Sequence, residues 1–322
     1  MKPIGGFFEL EVAKSNSIYH ENAIMLSTGR ACLNYILKYL KPDKVYLPFY
    51  CCDALFEPIE INSIDYEFYS INESLEIDNL PLLKQNEIII YINYFGIKTD
   101  YINTLLKTYN DKVIIDNTHS FFTKNHNTDN YSFTSARKYF GVPDGAFLYS
   151  TANTTLKIDI KRNQKISIDH NLHRLIGLQE KAYAEYVIYE KNLGSDIEKI
   201  SLFSEKILST IDYQEVRKIR NDNFNYYTEE FKNLNRLHID ENVKDCFCYP
   251  LFLEKPIEKE KLYKEKIFIP NLWLDTLNRK HSKDYELECK LSTELLPLPL
   301  DHRYSKMDLK RVVSTIKKIL YE

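Results

Sequence analysis

The chain has 322 residues, which is long enough for one large domain with a sizeable core and a second, smaller domain. Hydrophobic residues make up 44% of it, charged residues 28%, and the formal net charge is −3, with no long basic run of the kind that binds nucleic acid. No apolar stretch approaches the roughly 20 residues that span a bilayer, and the first residues lack the pattern of a secretory signal. We therefore expect a cytoplasmic protein with no nucleic-acid or membrane partner.

The six cysteines do not have the spacing of a zinc ribbon or a redox pair. Free, buried cysteines fit a cytoplasmic protein better than disulfides do. A second metal-like pattern, His170 and His173, lacks a third ligand of known proximity, so a solvated or interface surface is the expected role. The sequence thus predicts no metal site.

The first half of the chain alternates short apolar strands with helices. The predicted helices are 26–40, 52–60 and 100–109, and the predicted strands are 44–50, 64–71, 87–94, 112–116, 131–134 and 145–150. Such alternation implies parallel strand pairing with right-handed crossovers. We expect a three-layer α/β domain.

The second half begins with long helices between about 165 and 235. One is predicted over 172–193 and carries an apolar side suited to a domain or subunit contact, formed by Leu175, Leu178, Ala182, Tyr186 and Tyr189. Strands are expected again at 246–253 and 266–270, with helices at 257–265 and from Ser305 onward, where Asp308 is placed as a capping-box partner. We predict a large domain over 1–235 and a small α+β domain over 236–322.

Two polar features lie where the predicted strands and helices meet. Gly29 and Arg30 stand in a Ser-Thr-Gly turn that opens the first helix, and free N–H groups at a helix N-terminus bind phosphate. Asp116 ends a predicted strand, at the sheet edge where α/β proteins bind ligands, and His119 follows on the same loop. Taken singly, the turn is better explained as an ordinary helix cap, and Asp116 is as well explained by capping.

A third feature is Lys138, which is followed by two aromatic residues and a Gly-Val-Pro-Asp-Gly turn. A nucleophilic lysine needs a partly desolvated position. Ser132, Thr134 and Ser135 precede it and have hydroxyls suited to a phosphate. A surface lysine is the ordinary explanation, but a phosphate turn, a strand-end carboxylate and a loop lysine in this order favour a common site.

With these motifs the chain resembles the fold-type I pyridoxal-phosphate (PLP) enzymes, in particular the DegT/DnrJ/StrS-type aminotransferases, over nearly its whole length. The resemblance is carried by STGRACL, VYLPFYCCDAL, NYFGIKTDYINTL, VIIDNTHSFF and SARKYFGVPDGA, with weaker likeness in YPLFL, IFIPNLWL and LLPLPLDHRYS. It implies an aspartate aminotransferase-like large domain, PLP as cofactor and a homodimer. Family members commonly act on nucleotide-linked keto-sugars.

The resemblance also implies roles for individual residues. Lys138 takes the position of the lysine that binds PLP as a Schiff base, and Asp116 that of the carboxylate at the pyridine nitrogen. His119 takes a ring-contacting position, and Cys52 falls near the aromatic that stacks on the ring. Gly29, Arg30 and either Ser132 or Ser135 take the phosphate-binding positions.

Three positions depart from the family pattern. The phosphate-binding serine five residues before the lysine is replaced by Phe133, an aromatic is absent at Cys52, and the Asn-Tyr-Arg-like segment has no convincing equivalent around 170–174. The departures leave the cofactor assignment in place and weaken the substrate assignment.

The sequence therefore predicts an aminotransferase that moves an amino group from an amino-acid donor to a keto substrate, with a keto-sugar favoured. Two alternatives remain: a PLP enzyme for dehydration or decarboxylation, and a non-catalytic PLP-fold binding or regulatory protein. A dinucleotide-dependent dehydrogenase is disfavoured because no GxGxxG turn occurs. Trp273, the single tryptophan, can contact substrate in a cleft, although ordinary packing is the expected role.

Overall fold

The computed structural model describes residues 6, 10–13, 17–124, 130–150, 156, 158–240 and 242–321. Its centre is a seven-stranded sheet in the order β1-β7-β6-β5-β4-β2-β3. The strands are β1 (Ile24–Leu26), β2 (Lys44–Pro48), β3 (Asp65–Tyr69), β4 (Glu87–Ile92), β5 (Val113–Asp116), β6 (Tyr131–Ser135) and β7 (Ala146–Tyr149). The α/β fold class is confirmed.

Strand direction in this sheet is mixed. Strands β3, β2, β4, β5 and β6 pair in parallel, as the alternating pattern predicts, whereas β7 pairs antiparallel with both β6 and β1. The expectation of parallel pairing throughout is wrong at this edge, because the chain between β6 and β7 is a short loop that returns directly and leaves no room for a crossover helix. Strand β1 is only three residues long and was not predicted.

Helices in the first half pack on the sheet and connect its strands. They are α1 (Gly29–Leu40), α2 (Phe56–Ile61) and α3 (Thr99–Tyr109). Helix α1 packs against β1, β6 and β7, and α3 packs against β5. The parallel strands β2, β4, β5 and β6 therefore end along one edge, to which α1 presents its N-terminus.

The second half differs most from the predicted elements at two places. Its helices are α4 (Asp169–Leu175), α5 (Gln179–Lys191), α6 (Leu202–Leu208), α7 (Tyr213–Phe231), α8 (Lys259–Lys264), α9 (Glu286–Glu294) and α10 (Lys306–Tyr321). The helix predicted over 172–193 is two helices, because Gly177 adopts a φ of +83° that no helix continues through. The strand predicted over 266–270 is irregular chain after α8, entered through Lys266 at φ 54°.

A second sheet contains β8 (Tyr249–Leu251) and β9 (Leu296–Leu298), which pair antiparallel. Helix α7 packs against β8 and α10, so it belongs by contact to the C-terminal part. Asn223 and Tyr227 of α7 donate to the carbonyls of Leu300 and Pro299. This packing favours a boundary before α7, and the division at 235 stays a prediction.

The start of α10 has the predicted capping box. The Asp308 carboxylate accepts from the backbone N–H of Ser305 at 2.8 Å, and the Ser305 hydroxyl faces the Asp308 N–H at 3.4 Å. Among the described residues, no helix combines the length and the apolar character needed to cross a membrane.

Candidate active site

The edge of the large sheet where the parallel strands end contains a cavity of about 780 Å³, including its open mouth. Its walls come from the start of α1, the loop after β2, the ends of β4, β5 and β6, the residues after α5 and the C-terminal part. The lining residues are Thr28, Gly29, Arg30, Cys52, Ala54, Leu55, Ile92, Asp116, Thr118, His119, Phe133, Ser135, Arg137, Lys138, Glu190, Leu193 and Trp273. Seven of the eight candidate site residues of the sequence lie in this set.

Asp116 is the last residue of β5 and is buried at the bottom of the cavity. Burial raises the pKa of its carboxyl group, while hydrogen bonds from Thr118 and the positive charge of Lys138 oppose that rise. The Thr118 N–H lies 2.8 Å from the carboxylate. The site therefore holds a desolvated carboxyl group that a cation would stabilise in its charged form.

His119 follows on the same loop and is also buried. Burial, together with the charge of Lys138, holds the pKa of its imidazole well below the ordinary value, so the ring is neutral at neutral pH. Its Nδ1 atom is buried and has no hydrogen-bond partner among the described residues. A buried polar atom of this kind is suited to a ligand.

The backbone of His119 is fixed by two neighbours. The Tyr139 hydroxyl donates to the His119 carbonyl oxygen at 2.8 Å. Gly96, at φ +81°, packs so closely that a Cβ atom there would lie 2.6 Å from the same oxygen. The glycine of the NYFG segment is thus required by both backbone conformation and close approach.

Lys138 ends the short 3-10 helix Ala136–Lys138 that follows β6. Its side chain lines the cavity with Asp116 and His119, and its charge acts on both of them. The partly desolvated position expected for a reactive lysine is not observed: Lys138 is exposed, because it stands at the open mouth of the cavity.

The loop after Lys138 is held by a buried carboxylate. Asp144 is fully buried and accepts hydrogen bonds from the N–H of Ser201 at 2.8 Å and the amide of Asn163 at 3.0 Å. The hydroxyls of Ser201 and Ser204 also donate to it. This network ties the lysine loop to the segment before α6.

The turn at Gly29 opens α1 toward the cavity. Thr28 is the N-cap residue, and its hydroxyl accepts from the Ala31 N–H at 3.0 Å. Arg30 does not point freely to solvent: it donates to the Leu193 carbonyl at 3.0 Å and lies 3.7 Å from the Glu57 carboxylate. The free N–H groups of this first turn, rather than the guanidinium, are the groups available to an anion.

The two candidate serines are separated by the alternation of strand β6. Ser135 lines the cavity together with Phe133, whereas Ser132 is buried outside the lining set. Consecutive side chains on a strand point to opposite faces of the sheet. Ser132 therefore lies on the face opposite to that of Phe133 and Ser135. Cys52 lines the cavity beside Ala54, whose N–H lies 3.5 Å from the Cys52 sulfur.

Arg137, Glu190 and Leu193 are among the lining residues that were not identified from sequence. Arg137 pairs with Glu190 of α5, and Leu193 follows that helix. Burial opposes ionisation of Glu190, but the charge and hydrogen bond of Arg137 outweigh it and lower its pKa. The adjacent basic residues 137 and 138 could have indicated from the sequence that Arg137 lies near the site. Nothing in the sequence indicates that Arg137 pairs with Glu190.

The His170 and His173 pair has a structural explanation. The His170 ring packs on the rings of Tyr186 and Tyr189, and His173 lies 2.7 Å from the Glu185 carboxylate. Among the described residues, no three metal-ligating side chains form a group that could hold an ion.

Solved structures similar to this chain include sugar aminotransferases. CalS13, a sugar aminotransferase from Micromonospora echinospora, superposes with a TM-score of 0.68 at 13% identity, covering 94% of this chain and 88% of its own. A DegT DnrJ EryC1 StrS aminotransferase from Brucella abortus gives 0.60 at 14%, covering 92% and 85%. Spr1654 from Streptococcus pneumoniae, in its PLP form, gives 0.64 at 15%, covering 92% and 86%.

The chain has the fold of these aminotransferases. No protein-family model matches the sequence, and no curated protein matches it either. At identities this low the likeness is one of fold, and activity must be argued from the site itself.

Proposed function

We propose that the chain is a PLP-dependent aminotransferase that transfers an amino group from an amino-acid donor to a keto-sugar. The observation that carries the proposal is one cavity that brings together a helix N-terminus, a buried strand-end carboxyl group, a neutral histidine and a lysine. The predicted order of Gly29, Asp116 and Lys138 along the chain matches this arrangement. The fold of the solved sugar aminotransferases supports it.

The residues present fit the proposed cofactor. Asp116 is a buried carboxyl group that a protonated ring nitrogen would stabilise as the anion. The Nδ1 atom of His119 has no hydrogen-bond partner among the described residues and could bond to the cofactor. The N–H groups of the first turn of α1 and the hydroxyl of Ser135 line the same cavity and suit a phosphate. Lys138 supplies the primary amine for the cofactor aldehyde.

PLP, when bound, supplies the electron sink that lets an amino acid lose its Cα proton. This chain's own residues do the rest. Asp116 would keep the ring nitrogen protonated, and the neutral imidazole of His119 would contact the ring. The Lys138 amine would hold the cofactor covalently, and Nζ would move the Cα proton as a general base.

The acceptor is assigned to the class of keto-sugars, and a nucleotide-linked keto-sugar is the favoured form. CalS13, a sugar aminotransferase, superposes on 94% of this chain. The lining set pairs Arg137 with Glu190 and Arg30 with Glu57, so both guanidinium groups of the cavity are already engaged by carboxylates. Because neither guanidinium is free to bind a further carboxylate, an acceptor rich in hydroxyls suits this cavity better than a dicarboxylate acceptor does.

The proposal is tested by the visible spectrum of purified protein mixed with PLP, before and after addition of glutamate. A yellow band that bleaches as pyridoxamine phosphate forms is the expected result. A band that persists with glutamate while an amino acid is dehydrated or decarboxylated would favour the other PLP reactions. No band at all would refute the cofactor assignment.

We further propose that two copies of the chain associate through the α4–α5 hairpin. Its exposed apolar side chains are Leu172, Leu175, Ile176, Leu178, Tyr183, Tyr186 and Ile188. Leu175 is 81% exposed and Ile188 62% exposed, and so many exposed apolar side chains on one hairpin are typical of an interface. Helix α5 also carries Glu190 of the cavity, so a second copy here would lie beside the site.

Light scattering after size-exclusion chromatography tests the association. We expect a dimer for the wild type and a monomer for the double variant Leu175→Glu and Ile188→Glu. Leu82→Glu is the matched control, because Leu82 is 95% exposed and lies outside this hairpin. A wild-type monomer, or a dimer that survives both substitutions, would contradict the proposed interface.

A further inference from the structure

The indole of Trp273 forms part of the cavity wall beside His119. It is the lining residue contributed by the C-terminal part, among the described residues. Its ring is nearly parallel to the His119 imidazole, with centroids 5.4 Å apart and an interplanar angle of 11°. It also meets the Tyr50 ring edge-on at 4.5 Å. The sequence led us to expect ordinary packing here, whereas the structure places the indole in the candidate site.

The backbone of Trp273 is held in an unfavourable conformation. Its φ of 58° and ψ of 44° are left-handed, which a bulky residue adopts only when its surroundings enforce it. The Trp273 carbonyl oxygen accepts from the Thr276 N–H at 3.1 Å, and it lies within hydrogen-bond distance of the Thr276 hydroxyl at 3.0 Å and the Ser292 hydroxyl at 3.1 Å, which also contact each other at 2.7 Å. Thr276 and Ser292 are fully buried. The Thr276 N–H and this buried hydroxyl pair therefore fix the turn.

The other end of the same segment is anchored to the cavity wall. Arg279 follows the short 3-10 helix Leu274–Asn278, and its guanidinium donates to the carbonyls of Phe49 and Cys51 and pairs with Asp53. These residues belong to the loop that also carries Cys52 of the cavity. With both ends tied, the segment presents the indole rigidly.

His119 depends on aromatic neighbours for the orientation of its ring. The imidazole stacks on Phe247 at 4.3 Å and 12° as well as on Trp273. No described residue hydrogen-bonds to Nδ1, so aromatic stacking restrains the plane of the ring. Phe247 and Trp273 are the rings nearest to parallel with it, and Phe95 lies farther away at 6.0 Å and 21°.

We propose that Trp273 is a positioning residue that holds the His119 imidazole in the plane in which it contacts the cofactor ring. The inference rests on the proposed function, because it concerns the same cavity. If Trp273 has a purely structural role, its substitution and that of His119 should change the free energy of PLP binding independently, with a coupling energy near zero. If Trp273 positions His119, its substitution should weaken PLP binding only while the His119 imidazole is present.

The experiment is a double-mutant cycle on the PLP dissociation constant, measured by visible absorbance titration. Trp273→Gly removes the indole and keeps a backbone that accepts this φ without strain. We expect it to weaken PLP binding about tenfold or more in the wild-type background, but less than about threefold in the His119→Ala background. Trp273→Phe, which keeps a stacking ring, should recover most of the affinity.

Leu274→Ala is the matched control on the same short helix, because Leu274 is 40% exposed and is not a lining residue. It should change the dissociation constant less than about twofold. Thermal melting of each apo variant establishes folding, and Trp273→Leu replaces Trp273→Gly in the cycle if the glycine variant is unfolded.

The outcomes separate the inference from the proposed function. If the wild type binds no PLP, the proposed function fails and the inference fails with it. If the wild type binds PLP but Trp273→Gly binds it equally well, or the losses at 273 and 119 multiply independently, only the inference is overturned.

Discussion

Replacing Asp116 with Asn should separate stability from activity. The amide has the same shape and can still accept from the Thr118 N–H, so the loop after β5 is kept. What is lost is the negative charge. Burial raises the pKa of this carboxyl group, which means that its buried negative charge lowers the stability of the apo protein when no cation lies beside it. We expect the free energy of unfolding of the apo protein to stay within about 0.5 kcal/mol or to rise.

The effect on the proposed reaction should have the opposite sign. Two unit charges about 4 Å apart attract by about 4 kcal/mol at an effective dielectric constant of roughly 20. Each 1.36 kcal/mol is tenfold in rate, so loss of the Asp116 charge should slow the glutamate half-reaction about a hundred- to a thousandfold.

The assay is single-turnover bleaching of the cofactor band with saturating glutamate, paired with urea unfolding of the apo protein. Asp308→Asn is a control, since that carboxylate caps the distant helix α10. An Asp116→Asn enzyme that retains more than about a tenth of the wild-type rate would refute the role given to the charge. So would an apo variant that loses several kcal/mol of stability.

Three further predictions concern residues outside the cavity lining. Burial lowers the pKa of His20 to about 3, below the unfolded value of about 6.5, so protonation of the unfolded state lowers stability as the pH falls below 6.5. On going to pH 5 the His20 contribution to the unfolding free energy should fall by about 2 kcal/mol, so the loss seen by urea unfolding should be smaller by that amount in His20→Gln than in the wild type. Gly96→Ala should cost about 2–4 kcal/mol, because φ is +81° and the new Cβ would lie 2.6 Å from the His119 carbonyl oxygen; an unchanged urea midpoint would contradict the close approach. Asp144→Ala should cost about 3 kcal/mol or more, because buried donors of Ser201 and Asn163 lose their acceptor; a cost below about 1 kcal/mol would show that the network does not hold the lysine loop.

The sequence predicts the parts of the site that are local and misses those brought in by tertiary packing. The turn at Gly29, the strand end at Asp116 and the loop at Lys138 each carry a local signal, and the sheet topology alone places them at one edge. Glu190 and Trp273 reach the cavity from helices and turns far along the chain. Their positions depend on tertiary packing, which the hydrophobic periodicity of the sequence does not reveal.

The errors in the fold have similar causes. Helical periodicity over 172–193 continues through Gly177, but the positive φ of that residue ends the first helix there. The apolar run at 266–270 has strand composition, yet it finds no strand partner in the described part of the chain. Strand β7 runs antiparallel because its connection is short, which composition alone does not reveal.

The identity of the amine that binds the cofactor is the most direct test of the account. The protein is incubated with PLP, reduced with borohydride, digested, and the modified peptide is identified by mass spectrometry. We predict one cofactor adduct, on Lys138, and none on the Lys138→Ala variant, which should also show no turnover. An adduct on another lysine in preference to Lys138, or normal turnover by Lys138→Ala, would contradict it.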